Sequence, residues 1–125
     1  MRENDVARVV VDAALRVHRT LGPGLLESVY EAALAHELRK RGLAVQTQLP
    51  VPVSYDGVEL EVGFRADLVV EGLVLLELKS VEQLAPVHKK QTLSYARLLD
   101  LRLALLINFG APLLKQGLVR IANML

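Results

Sequence analysis

The sequence predicts an α/β domain in which helices flank one mixed β-sheet. Two helical patterns come first, extended segments follow, and a third helical pattern separates two strongly apolar segments. Strands interleaved with helices in this way favour a sheet covered by helices. The 125 residues suit a single domain spanning residues 1–125, and the 52% hydrophobic content can form a core mainly of Leu, Val and Ala.

Composition excludes several classes of protein. The absence of cysteine excludes disulfides, thiolate zinc sites and cysteine-held iron–sulfur clusters. The charged start Met1–Asp5, with no long apolar run after it, predicts no signal peptide, no membrane span and a cytoplasmic location. The net charge of +1 is low for a module that binds nucleic acid by phosphate neutralisation alone. It is compatible with an enzyme whose acidic metal ligands lower the net charge.

Helical spacing of apolar residues predicts two N-terminal helices. The first covers residues 4 to 21 and is ended by Gly22-Pro23-Gly24. The second covers about Leu25 to Arg41, and Gly42 is a natural stop after it. A third helix is predicted further along, from about Ala85 to Leu99.

The strands are predicted from turn signals and apolar runs. Val45–Tyr55 contains two prolines and predicts an edge strand, and Asp56-Gly57 is a hairpin signal before a strand from Val58 to Val70. The apolar runs Leu73–Lys79 and Leu103–Phe109 predict strands buried on both faces. A last strand from Gly117 to Ala122 completes the predicted order α-α-β-β-β-α-β-β.

Three charged residues interrupt these buried runs. Glu77 and Lys79 are two residues apart on one strand and share a face. If the turn at Glu71-Gly72-Leu73 has three residues, Val70 faces Val74 and Asp67 faces Glu77; a two-residue turn would put Asp67 on the opposite face. The alternative is three ordinary charges near a sheet end.

Facing carboxylates repel each other unless a cation neutralises them. Mg²⁺ or Mn²⁺ does so, accepts phosphate oxygens and acidifies a bound water. Lys79 can then orient the attacking water or stabilise developing negative charge. The trio of Asp67, Glu77 and Lys79 therefore predicts metal-dependent cleavage of phosphodiesters.

The second and third predicted helices carry further candidate residues of this site. Gln91 and Tyr95 are four residues apart on the third helix, on a stripe with Val87 and Leu98 that we expect to face inward. Each residue also has a purely structural interpretation: Gln91 would cap a nearby backbone group, and Tyr95 would be a core residue. Glu27 lies in the first turn of the second helix, where it either stabilises the helix dipole or reaches the metal through water.

The motifs resemble a known family. Gly24-Leu25-Leu26-Glu27-Ser28-Val29-Tyr30 resembles the signature of the GxxExxY proteins, and the segments Arg65–Asp67, Glu77–Lys79 and Gln91–Tyr95 are similar to its other blocks. That family resembles a compact branch of the PD-(D/E)XK nuclease superfamily, whose restriction-endonuclease-like core has the order α-β-β-β-α-β. One departure is Ala66, which stands where the superfamily name has Pro.

The resemblance implies roles for these residues. Asp67, Glu77 and the backbone carbonyl of Leu78 would hold Mg²⁺ or Mn²⁺, and Glu27 would be the acidic residue of the core's first helix. Lys79 would be the catalytic lysine, with Gln91 and Tyr95 positioning the site. The implied substrate is DNA or RNA. The residues leave two alternatives open, namely a catalytically silent interaction module and a subunit active only in a homo-oligomer or larger complex.

Overall fold

The computed structural model describes the backbone of residues 1–125 and every side chain except those of residues 61 and 62. It contains a sheet of five strands flanked by three α-helices. In chain order the elements are α1 (Glu3–Leu21), α2 (Glu27–Lys40), β1 (Val45–Tyr55), β2 (Val58–Val70), β3 (Val74–Lys79), α3 (Pro86–Leu98), β4 (Leu103–Asn108), a 3-10 turn (Leu114–Gly117) and β5 (Leu118–Ala122). The predicted order of helices and strands is confirmed.

The sheet is mixed, as the sequence predicted. Its strands lie in the order β1-β2-β3-β4-β5, and only the β3–β4 pair is parallel. Helix α3 connects these two parallel strands, since a parallel pair cannot be joined by a tight turn. The prediction that β1 is an edge strand is confirmed. The two central strands β3 and β4 are almost entirely buried, which explains their continuous apolar sequences.

Helices cover both faces of the sheet and form two cores. The α1–α2 core joins apolar residues of the first two helices to one sheet face and includes Tyr30, Leu76 and Phe109. The α3 core lies on the opposite face and includes Leu75, Ala96 and Ala104. Within the described residues, none of the helices combines the length and apolar character needed to cross a membrane.

Candidate active site

The hairpin of β2 and β3 brings Asp67 and Glu77 together. Its ladder pairs Val70 with Val74, so Glu71-Gly72-Leu73 is a three-residue connection, which is the condition that the predicted site required. The first two residues of this connection have φ angles of 55° and 63°, in the left-handed region that closes such a turn. Continued along both strands, this register sets Asp67 opposite Glu77.

Each of the two carboxylates accepts a main-chain N–H of the neighbouring strand. The Asp67 N–H donates to Glu77 Oε2 at 2.9 Å, and the Leu78 N–H donates to Asp67 Oδ2 at 2.8 Å. Glu77 is only 7% exposed, and Asp67 is half-buried. The strand ends are therefore held by carboxylate–amide hydrogen bonds, and each carboxylate keeps a second oxygen that can contact a ligand.

Burial raises the pKa values of both carboxyl groups. Burial, reinforced by the charge of Asp67, raises the pKa of Glu77 to about 8, although the Asp67 amide and Lys79 act in the opposite direction. Burial also raises the pKa of Asp67, against the lowering effects of the Leu78 amide and Lys79. The pair therefore retains a proton near neutral pH in the absence of a cation.

Lys79 lies half-buried at the end of β3, close enough for its charge to favour ionisation of both carboxyls. Strand β4 fixes its main chain, because the Phe109 N–H donates to the Lys79 carbonyl at 2.8 Å. Asn108, which is paired with Lys79 in the sheet, is 2% exposed. Its side chain accepts the N–H groups of Val81 and Gly110 and donates to the Val81 carbonyl at 2.8 Å. Asn108 thus supports the segment that follows Lys79.

Sequence reasoning did not select Asn108. Its signal is a single amide at the end of the apolar run of β4, which is the same kind of interruption that singled out Glu77. A buried amide at such a position needs hydrogen-bond partners, and here they are Val81 after β3 and Gly110 after β4.

We expect Asn108→Ala to destabilise the protein strongly. The change leaves two partly buried N–H groups and one carbonyl without their partner, which lowers the free energy of unfolding by about 3 kcal/mol. Urea denaturation measures this loss. Asn123→Ala is the matched control, because the Asn123 amide makes one bond, to the Leu101 carbonyl at 2.9 Å. A loss no larger than that of the control would contradict the assigned role.

Tyr30 holds the turn that precedes α2. Its ring stacks on Phe109 with a centroid distance of 4.5 Å, and its hydroxyl donates to the Gly22 carbonyl at 2.5 Å and accepts the Leu25 N–H. The Ser80 hydroxyl donates to the Leu25 carbonyl at 2.6 Å. The start of α2 is thereby fixed beside the end of β3. The Tyr30 side chain is fully buried.

A cavity of about 200 Å³ lies between the start of α2 and Asp67. Its lining consists of Glu27, Ser28, Glu31, Gln48, Asp67 and Leu78. Glu27 is the first residue of α2 and is exposed. Glu31, one turn further, was not singled out from the sequence. Burial and the charge of Asp67 raise the pKa of Glu31, whereas a hydrogen bond from Gln48 lowers it.

Helix α3 contributes Tyr95 but presents a different face from the predicted one. Tyr95 stacks on Phe64 with a centroid distance of 3.6 Å, and its pKa is raised by burial and by the charges of Glu77 and Asp67. The expected inward stripe is wrong, because Val87, Gln91 and Leu98 are exposed. The buried residues of α3 are Thr92 and Ala96, whose small side chains let the helix approach the sheet closely.

The donor set suits a hard divalent cation. Mg²⁺ and Mn²⁺ prefer carboxylate and carbonyl oxygens, which Asp67, Glu77 and the Leu78 carbonyl can supply. Among the described side chains, no group of three or more Asp, Glu, His or Cys residues is arranged to hold a metal ion. The set consists instead of two carboxylates with main-chain oxygen beside them.

Comparison with known proteins identifies the family. The model of the PD-(D/E)XK nuclease superfamily matches residues 4–121. Searches of curated proteins and of solved structures found no match. The narrower resemblance to the GxxExxY proteins stays a prediction. The match covers nearly the whole chain and agrees with the mixed sheet and flanking helices described above. The chain therefore belongs to the PD-(D/E)XK nuclease superfamily.

Proposed function

We propose that this protein is a Mg²⁺- or Mn²⁺-dependent nuclease that hydrolyses phosphodiester bonds of DNA or RNA. The observation that carries the proposal is the pairing of the half-buried Asp67 with the buried Glu77 beside Lys79, where each carboxylate accepts a main-chain N–H of the neighbouring strand. Burying two neighbouring acids costs free energy, and such costs are concentrated at functional sites; a nuclease needs a pair of this kind for its cation. Superfamily membership supports the same chemistry.

In this proposal Asp67, Glu77 and the Leu78 carbonyl would hold the cation, and Glu27 would reach it through water. When bound, the cation would supply positive charge to the scissile phosphate and acidify a water molecule. The Lys79 ammonium would donate hydrogen bonds to the attacking water or to the developing negative charge. Tyr95, whose pKa is raised by burial and by the charges of Glu77 and Asp67, would donate a hydrogen bond toward the site.

A catalytically silent module is the competing proposal. One observation favours it: each acid already accepts a main-chain N–H from the neighbouring strand, so the pair also contributes to the architecture. The nuclease proposal accounts in addition for Lys79, whose charge lies beside both carboxylates at a strand end. A silent module has no need of a cation at this position.

We expect Lys79→Met to retain cation binding and to lose catalysis. Removing one transition-state donor lowers the cleavage rate by roughly 10²–10³-fold. The measurement is cleavage of labelled single- and double-stranded DNA and RNA with Mn²⁺ and with EDTA. Lys115→Met is the control, since Lys115 is exposed on the 3-10 turn.

Two results would contradict the proposal. One is the absence of Mn²⁺-dependent cleavage of every substrate by the wild-type protein. The other is cleavage by Lys79→Met at the rate of Lys115→Met. Dependence on the cation separates this reaction from a contaminating metal-independent nuclease.

A further inference from the structure

A cavity of about 540 Å³ opens on the β1–β2 hairpin, outside the carboxylate site. We call it the hairpin cavity. Its volume is within the range of pockets that bury small molecules. Its lining combines apolar side chains with one acid and one base, and it includes Pro50, Pro52, Leu60, Phe64, Glu59 and Arg65. The reaction proposed above does not use this cavity.

An aromatic pair connects the hairpin cavity with the carboxylate site. Phe64 lines the cavity and is half-buried, and its ring stacks on Tyr95 of α3 with a centroid distance of 3.6 Å. Tyr95 in turn lies close enough to Glu77 and Asp67 for their charges to raise its pKa. One stacked pair of rings therefore extends from the cavity toward the two acids.

Arg65 provides a second connection. It is exposed, lines the hairpin cavity and precedes Asp67 by two residues on β2. Its Nη1 donates to the Gln48 carbonyl at 3.1 Å, and Gln48 lines the smaller cavity that Asp67 also lines. A guanidinium group carries five N–H donors, so the others can bind a phosphate. Arg65 thus joins the hairpin cavity to the cavity at Asp67.

The two charged groups of the hairpin cavity suit opposite ends of a nucleotide. Arg65 lies on the part of β2 next to Asp67, whereas Glu59 lies near the start of the same strand. A guanidinium binds a phosphate, and a carboxylate repels a phosphate but accepts N–H groups of a base. A nucleotide with its phosphate at Arg65 and its base in the cavity meets a complementary group at each end.

We propose that the hairpin cavity binds an unpaired base of a single-stranded nucleic acid, with Arg65 contacting a phosphate of the same strand. The proposal rests on the nuclease function proposed above and names the class of its substrate. Phe64 supplies the aromatic contact, which every base can make regardless of sequence. In a duplex the bases are paired and stacked on their neighbours, so a base reaches such a cavity only if it is first extruded.

The first measurement is fluorescence anisotropy in EDTA, where a metal-dependent nuclease does not cut the probe. The probes are a labelled thymidine oligonucleotide of about eight nucleotides, the same strand in a duplex, and strands in which one nucleotide at a time lacks its base. We expect the single strand to bind about tenfold more tightly than the duplex. Loss of the base at one position weakens binding by about tenfold, since one stacked base contributes this much.

Phe64→Leu tests the contact with the base. It keeps an apolar side chain and loses the aromatic ring, so the intact strand binds about tenfold more weakly and the abasic position no longer matters. Tyr55→Leu is the matched control, because Tyr55 is 74% exposed at the end of β1 and does not line the hairpin cavity. The ratio of intact to abasic affinity within each variant is unaffected by a partial loss of folded protein.

Arg65→Met tests the contact with the phosphate. Each phosphate contact to a single strand contributes about 0.7 to the slope of log K against log salt, so we expect the slope to decrease by about that amount. Arg102→Met is the matched control, since Arg102 is also exposed and also donates to a main-chain carbonyl, that of Met124. A salt slope in Arg65→Met equal to that of the control would contradict the phosphate contact.

The outcomes separate this proposal from the proposed function. Equal affinity for single strand and duplex, no binding of single strands, or an abasic loss that persists in Phe64→Leu would overturn the assignment of the hairpin cavity. Mn²⁺-dependent cleavage of duplex DNA in the same protein would then leave the nuclease proposal standing. Base-dependent binding of single strands by a protein that cuts nothing with Mn²⁺ would overturn the nuclease proposal and retain the hairpin cavity as a binding site.

Discussion

Replacing Glu77 by glutamine is expected to lower metal-dependent cleavage by roughly 10³-fold or more while the protein remains folded. Glutamine has nearly the same volume, and its amide oxygen can still accept the Asp67 N–H. It lacks the negative charge that a hard divalent cation requires. The rate of Mn²⁺-dependent cleavage, compared with that of the wild type at equal concentration, measures the effect.

Glu71→Gln provides the matched control for this substitution. Glu71 lies on the same hairpin. Its carboxylate accepts the Ala44 N–H at 2.8 Å and makes no hydrogen bond to Asp67 or Glu77. We expect the same isosteric change at Glu71 to leave the cleavage rate within about twofold of the wild-type rate, because substitutions away from the site have small effects. If Glu77→Gln cleaved as fast as Glu71→Gln, Glu77 would not be a metal ligand.

The stability of the metal-free protein is expected to fall as the pH rises from 4.5 to about 8. Burial raises the pKa of Glu77 in the folded state, so the folded protein holds a proton that the unfolded chain has released. Stability is greatest below the unfolded pKa, declines across this window and levels off above the folded pKa. The decline has a slope of up to about 1.4 kcal/mol per pH unit for one proton. Urea denaturation in EDTA at several pH values measures it.

Glu77→Gln isolates this effect from the titration of other groups. The variant has no proton to lose at position 77, so the difference in unfolding free energy between variant and wild type grows with pH across the window. Saturating Mn²⁺ reverses the trend for the wild type, because the cation binds the ionised pair. A difference that is constant from pH 5 to pH 8 would contradict the raised pKa of Glu77.

Local signals in the sequence were sufficient for the order of elements, and they located the turn of the key hairpin. The length of that turn stayed open between two and three residues, and the structure has the three-residue form that pairs Val70 with Val74. The placement of Asp67 opposite Glu77 follows from that register. This part of the candidate site depends on residues close in sequence, which is why it could be predicted.

Gln48 and Glu31 could not be found in the same way. Glutamine has no local preference for the left-handed conformation, so nothing in the sequence of β1 predicts the φ angle of 51° at Gln48. Glu31 follows Glu27 by one helical turn, and only the packing of α2 against the sheet shows that both carboxylates line one cavity with Asp67. These residues depend on contacts between elements distant in sequence.

The error on α3 has a different physical origin. Hydrophobicity favours Val87 and Leu98 as the buried stripe, yet they are 50% and 42% exposed. The helix instead buries Ala96 and Thr92. Ala96 packs in the same core as Ala104 of β4, where small residues on both elements permit close approach. The spacing of apolar residues predicts an amphipathic helix. It does not show that small residues will be buried in preference to larger apolar ones.

The most direct measurement of the central claim is a calorimetric titration of the wild-type protein with Mn²⁺ at pH 7, repeated in two buffers with different ionisation enthalpies. If Asp67 and Glu77 form a cation site, Mn²⁺ binds and displaces the proton retained by the pair, so the binding enthalpy depends on the buffer. The Asp67→Asn variant then loses the binding. Absence of binding by the wild type, or binding that persists unchanged in Asp67→Asn, would contradict the assignment of these carboxylates as the metal centre of a nuclease.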